Sequence, residues 1–359
     1  MTYRLTYLRE KLGDLDAIVI TNPQNRRFLT GFTGSAGVCF VSRDHAILAT
    51  DFRYYTQVKQ ECHDFELSKV GYDLIGNMPD LFKRINAKRV GFESDHLTVA
   101  QFEAWKKATP EVEWIPTQNM VEDTRAIKSV AEIETLRHAV KVTDYAFSRA
   151  LQSLKPGTTE KALQWALKQV LFDIDGRDPA FEIIVAAGLG SAKPHARASN
   201  DPIPEGVPIV IDMGALVDGY HADMTRTIVL GEPDDKFREI YDIVLRALTT
   251  ATKGIAPGKN GQEIDALARD LITEAGYGEQ FGHGLGHGVG LEIHEKTPRF
   301  STRSSDVILQ KNMVVTIEPG IYLPEWGGIR IEDLVLVTET GVEIFTETPK
   351  DIESQIISV

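Results

Sequence analysis

The chain has 359 residues, 42% of them hydrophobic and 25% charged, a composition that suits a globular core and, at this length, two domains. Acidic residues exceed basic ones by 52 to 39, for a formal net charge of −13. No basic run interrupts that balance, so the chain repels a phosphate backbone and nucleic acid is excluded as an expected partner.

In chain order, the first residues read as a charged helix over 3–12, whose charges break any apolar stretch and argue against a signal peptide. Strands are predicted at 17–21 (AIVIT), 38–42 (VCFVS) and 46–49 (AILA), with helices at 53–61 and 99–108. This alternation predicts an α/β layer with its sheet covered by helices. The two cysteines, Cys39 and Cys62, match neither a disulfide framework nor a metal finger and read as small buried residues in a reducing compartment. No run approaches the ~20 apolar residues of a membrane helix, and cytoplasmic residence is the default expectation.

The polar stretch 116–124 lacks an apolar period and is read as the domain break. Ser129 and Glu132 then form a capping-box pattern, followed at helical spacing by Ile133, Leu136, Val140, Phe147 and Leu151. Lys155-Pro156-Gly157 stops that helix. An internal repeat is visible from there. Pro156-Gly157 precedes a helix over 160–172, a histidine-bearing loop and a strand over 208–213. Pro257-Gly258 precedes a helix over 262–275, a glycine-histidine stretch and a strand over 313–318. Each copy ends in a strand carboxylate, Asp212 or Glu318, which suggests a pseudo-twofold pair enclosing one site.

Asp212 terminates the apolar run Ile209-Val210-Ile211, where an ionised carboxylate is costly unless paired or bound to a cation. Asp223 follows after the hairpin signal Asp218-Gly219, which can bring both acids to one end of a sheet. Either acid taken singly could instead pair with an arginine such as Arg226. The run from Phe281 to Gly290 sets His283 and His287 among glycines that permit close approach of backbone to a ligand or a second strand, and His294 follows. It matches no dinucleotide fingerprint. Arg330 and Glu332 stand two apart, sharing one face of a strand. Asp212, Asp223, His287, Glu318 and Glu332 make an oxygen-rich set with one nitrogen and no thiolate. Their charge calls for about two divalent cations, with Mn²⁺ favoured over a thiolate-seeking ion. His195, His283 and His294 are left for proton transfer and oxyanion stabilisation.

At these residues the sequence resembles the pita-bread metallopeptidases of the aminopeptidase P and prolidase branch. The segment 25–37, ending Gly31-Phe32-Thr33-Gly34-Ser35-Ala36-Gly37, is similar to the branch's creatinase-type N-terminal domain. The resemblance implies an α/β domain over 1–120 and an α+β pita-bread catalytic domain over 125–359. It implies that Asp212, Asp223, His287, Glu318 and Glu332 bind two divalent metal ions, Mn²⁺ first, with Co²⁺ or Zn²⁺ as alternatives. Asp223 and Glu332 would bridge the pair. Glu318, His294 and His195 would be catalytic, and His283 and Arg330 would contact substrate or orient Glu332. The implied reaction is hydrolysis, by a hydroxide held between the metals, of the bond between an N-terminal residue and a following proline. An Xaa-Pro aminopeptidase is expected on the Gly31–Gly37 stretch, with a prolidase as the alternative. An inactive peptide-binding pita-bread module is a third, disfavoured by the complete ligand set. A homodimer is the oligomer the branch implies. Met213, Ala187 and His221 depart from residues common in similar proteins and bear on substrate preference, not on the ligand set.

Overall fold

The computed structural model describes residues 2–174 and 178–358. The chain divides into two compact units, Met1–Arg125 and Ala126–Val359.

The first unit is built on a six-stranded sheet of β1 (Ala17–Ile20), β2 (Val38–Ser42), β3 (Ala46–Thr50), β4 (Glu66–Lys69), β5 (Arg89–Glu93) and β6 (Glu113–Thr117). Their order is β4-β3-β2-β1-β5-β6. β1–β2 and β2–β3 are antiparallel, while β1–β5, β5–β6 and β3–β4 are parallel. Helices α1 (Thr2–Glu10), α2 (Pro23–Thr30), α3 (Tyr55–Glu61), α4 (Leu74–Arg84) and α5 (Val99–Ala108) complete the α/β layer. The sequence missed α2. Asn22-Pro23 reads as the end of a strand, but Asn22 caps the helix by accepting from Gln24 N and Asn25 N, with Pro23 inside its first turn. Both cysteines are free and buried.

The stretch 116–124, expected to be irregular, is largely ordered. β6 runs to Thr117, and α6 (Glu122–Ala126) carries the chain across the division. The second unit opens with α7 (Val130–Leu151), where Ser129 and Glu132 form the expected capping box. α7 ends at Leu151, short of the Pro-Gly stop. α8 (Glu160–Asp173) then packs on α7, and α9 (Asp235–Gly254) packs on α10 (Gly261–Glu274) in the same way. The Pro-Gly turns of the two copies share their geometry: Gly157 and Gly258 have φ +86° and +87°, a left-handed conformation that glycine adopts without a Cβ penalty.

Strands follow each helix pair. β7 (Ile184–Ala187), β8 (Pro208–Met213) and β11 (Met224–Leu230) pair antiparallel, with β19 (Ile356–Ile357) added parallel at the edge. Between β8 and β11, β9 (Leu216–Val217) and β10 (Tyr220–His221) make a small hairpin whose turn residues Asp218 and Gly219 both have positive φ, as a type I′ turn requires. In the second copy β12 (Gly286–His287) pairs with β13 (Arg299–Phe300), and β14 (Val314–Ile317), β17 (Asp333–Val337) and β18 (Val342–Ile344) form a three-stranded sheet. β15 (Gly320–Leu323) pairs with β16 (Gly327–Arg330). One apolar core lies under α7 and α8, and a second under α9 and α10. Among the described residues no helix is long and apolar enough to cross a membrane.

Candidate metal centre

Strand ends converge on a cavity of about 1530 Å³. All nine residues singled out in the sequence line it: His195, Asp212, Asp223, His283, His287, His294, Glu318, Arg330 and Glu332. Pairing explains the convergence. On β8 and β11, Asp212 faces Thr225, which puts Asp223 just outside the same strand end. On β14 and β17, Ile317 faces Asp333, so Glu318 and Glu332 both sit one residue beyond the paired stretch. The glycine-rich run lies against β14: Glu318 N donates to Leu285 O and His287 N to Thr316 Oγ1. That lateral contact places the His287 imidazole beside Glu318.

The His287 ring carries the most informative geometry. Its Nδ1 is 3.1 Å from Gly288 O, which can only accept, so Nδ1 bears the proton. Burial, with His294 beside it, lowers its pKa to about 4, and the ring is neutral at pH 7. Nε2 therefore presents a lone pair, and it presents it to two carboxylates, 3.6 Å from Asp223 Oδ2 and 3.5 Å from Glu318 Oε1. Lone pairs aimed at one another repel unless a proton or a metal cation lies between them, and these separations are too long for a good hydrogen bond, which leaves the room a metal cation needs. Donor atoms of Asp223, His287 and Glu332 lie within 4.8 Å of one another.

The acids describe the same deficit of positive charge. Burial, then repulsion from Glu332, Asp212 and Glu318, raises the pKa of Asp223 well above the carboxylate range. Burial, then Glu318 and Asp212, does the same to Glu332. Burial pushes Glu318 up to about 8 against the pull of Arg330. Asp212 Oδ1 is buried with no hydrogen-bond partner. The set fits hard or borderline divalent cations held by oxygen and one imidazole.

Arg330, only 3% exposed, is committed within the protein. Nη2 donates to Asp212 Oδ2 at 2.6 Å, Nη1 to Tyr322 OH and Pro194 O, and Nε to Thr225 Oγ1. It does not hold Glu332 directly. Thr225 Oγ1 donates onward to Glu332 Oε2 at 2.8 Å, so the arginine acts on that carboxylate through threonine. His283 is also committed. Its Nδ1 lies 2.8 Å from Gly284 O, and its Nε2 is 2.9 Å from Tyr322 OH, with burial lowering the pKa to about 4. The tyrosine thus donates to His283 and accepts from Arg330. His294 stacks edge-on against His287 with centroids 4.4 Å apart, and burial lowers its pKa. His195 and His294 are the exposed histidines of the cavity.

Sequence reasoning passed over Tyr322, Thr225 and Arg299. Tyr322 stands two residues from Gly320 on β15, so alternation from Glu318 was an available signal. Arg299 pairs in register with His287 and, with Arg197, lines the cavity as an exposed guanidinium without a protein partner among the described residues.

Residues 134–339 match the profile of Metallopeptidase family M24, and residues 4–127 that of the Creatinase/Prolidase N-terminal domain. The chain is 38% identical to an Xaa-Pro dipeptidase of Pyrococcus furiosus, covering 95% of this chain and 96% of that protein. The solved structure of an Xaa-Pro dipeptidase from Bacillus anthracis superposes with a TM-score of 0.95 at 42% identity, covering 100% of this chain and 99% of that one. An X-Pro aminopeptidase from Thermotoga maritima superposes at 0.89 with 37% identity, covering 98% and 99%. With its pita-bread domain, its creatinase-type domain and a cavity that gathers Asp212, Asp223, His287, Glu318 and Glu332, the chain belongs to metallopeptidase family M24.

Proposed function

We propose that this protein is an Xaa-Pro dipeptidase, in place of the aminopeptidase expected from the sequence. The observation that carries a metal-dependent peptidase is the neutral His287 lone pair facing Asp223 and Glu318. Asp212, Asp223, His287, Glu318 and Glu332 would hold two divalent cations, with Mn²⁺ favoured by the donor set. When bound, such a pair supplies Lewis-acid polarisation of a carbonyl and an acidified water.

The chain's own residues supply the rest. Glu318, whose Oε1 stands 3.5 Å from His287 Nε2, accepts a proton from the attacking water and delivers it to the proline nitrogen as the C–N bond breaks. Xaa-Pro is a tertiary amide with no N–H, so the leaving nitrogen must be protonated before it departs. The exposed imidazoles of His195 and His294 flank the scissile carbonyl as hydrogen-bond donors.

Two observations favour a dipeptide. The Pyrococcus furiosus and Bacillus anthracis relatives are both dipeptidases by name. A dipeptide also ends in a carboxylate, and Arg299 and Arg197 offer uncommitted guanidinium groups in the cavity that match it. The Thermotoga maritima likeness favours the aminopeptidase reading. Incubating the Mn²⁺-loaded protein with an Xaa-Pro dipeptide and with an Xaa-Pro-Yaa-Zaa peptide, and weighing the products, separates the two. Dipeptide cleavage alone is expected. Release of Xaa from the longer peptide would establish the aminopeptidase, and cleavage of neither would revive a binding module.

A further inference from the structure

His195 and Arg197 lie on the segment 187–199, which leaves β7, passes through a short 3₁₀ turn (Gly188–Ala192) and returns to the surface near the start of α8. The two ends of this segment meet on one side chain. Glu160 Oε1 accepts from Ala187 N and Glu160 Oε2 from Ser199 N, both at 2.7 Å. Lys161 N donates back to Ser199 O, closing the same junction. Glu160 is only 8% exposed and occupies the first turn of α8, where the helix dipole favours a carboxylate. A surface segment of this size with its ends drawn together is an Ω-loop, a form that falls within roughly 6–16 residues.

The interior of the loop is fixed at two further points. Ser191 Oγ accepts from Gly328 N and donates to Gly188 O, which ties the 3₁₀ turn to β16. Arg330 Nη1 donates to Pro194 O, the carbonyl that precedes His195. Between Lys193 and Ser199 the chain turns once on itself, through Ala196 N to Lys193 O. The imidazole of His195 and the guanidinium of Arg197 have no protein partner of their own among the described residues. Their position in the cavity is inherited entirely from the backbone, and the backbone is fastened at its ends by Glu160.

We infer that Glu160 is a positioning residue: its carboxylate clasps the 187–199 loop shut and so sets where His195 and Arg197 stand over the substrate. This rests on the peptidase reading for its catalytic consequence, but not for the clasp itself. Glutamine at 160 keeps one acceptor and turns an N–H₂ toward the other amide, which opens one end of the loop. Aspartate keeps the charge at the helix start but falls a methylene short of spanning both amides.

The test compares Mn²⁺-loaded wild type, E160Q, E160D, H195A and E160Q/H195A. Backbone hydrogen exchange in 187–199 is followed by mass spectrometry, and kcat/KM on an Xaa-Pro dipeptide is measured alongside. Both Glu160 variants are expected to exchange faster in 187–199, with α7 protected as in wild type. E160Q is expected to lose roughly ten- to a hundredfold in kcat/KM, the scale of a displaced group. The double variant is expected to lose less relative to H195A than E160Q loses relative to wild type, since only Arg197 is then left to misplace. Unchanged exchange in both Glu160 variants overturns the clasp. Faster exchange with losses that multiply in the double variant overturns the link to His195. If wild type cleaves no Xaa-Pro peptide, the proposed function fails, and the exchange comparison alone still decides the clasp.

Discussion

Among the carboxylates of the cavity, Glu318 stands one residue beyond the end of β14, its Oε1 3.5 Å from His287 Nε2. Glu318→Gln keeps the shape and removes the proton acceptor. Turnover should fall by roughly 10²–10⁴, the usual yield of general acid–base catalysis, with secondary structure intact by circular dichroism. Near-wild-type turnover would remove the proton-transfer role. Arg299 makes a different prediction. Arg299→Met should raise KM for an Xaa-Pro dipeptide about tenfold or more, the order of one charge-assisted hydrogen bond, with kcat little changed. An unchanged KM would place the guanidinium elsewhere than at the proline carboxylate. The convergence of the nine candidates was legible because acids at the ends of apolar strands are costly, and that cost is visible in one dimension. The roles of Thr225, Tyr322 and Arg299 were not. Thr225 matters because β11 brings it under Glu332, more than a hundred residues away in the chain. Arg299 matters because β13 pairs with β12. Neither pairing has a local signature.

At the scale of elements, the glycine-rich run shows how a strand without side chains builds a site. A Cβ on Gly286 would sit 2.1 Å from Thr316 O, a backbone atom that cannot step aside. Gly286→Ala should therefore push β12 away from β14 and separate His287 from Glu318. The expected result is weaker Mn²⁺ binding by calorimetry, together with a drop in melting temperature. Wild-type affinity would mean that the two strands do not need this closeness. The glycines announced close approach in the sequence, but not which strand they approach. The same division runs through the other elements. The helix at Val99–Ala108 and the strand at Val38–Ser42 emerged at their predicted limits, because caps and apolar runs are local. β4 escaped notice because only two of its four residues, Leu67 and Ser68, are even half-buried, which leaves no apolar run to detect. α4 escaped because Pro79 stands in its interior, where proline ordinarily argues against a helix.

For the catalytic unit as a whole, the repeat supplies a physical reason for metal dependence. Two similar halves each bring a carboxylate-bearing strand to the shared cavity, and like charges accumulate where water is scarce. Asp223, Glu332 and Glu318 all have native pKa values above those of free carboxylates, through burial first. In metal-free protein the folded state thus binds more protons than the unfolded chain at every pH between the two sets of values. Stability must then fall as pH rises through that window, because its slope follows protons bound in the unfolded state minus those bound in the native state. Bound divalent cations supply the missing positive charge and compete with those protons, so the loaded protein should show little of this slope. Melting of chelator-treated and Mn²⁺-loaded samples from about pH 5 to about pH 8 should show the two curves diverging with rising pH, the stripped protein losing stability as it ionises. Parallel curves would mean that the carboxylates are neutralised by the protein itself. Arg330, which already donates to Asp212, would then be the first side chain to suspect.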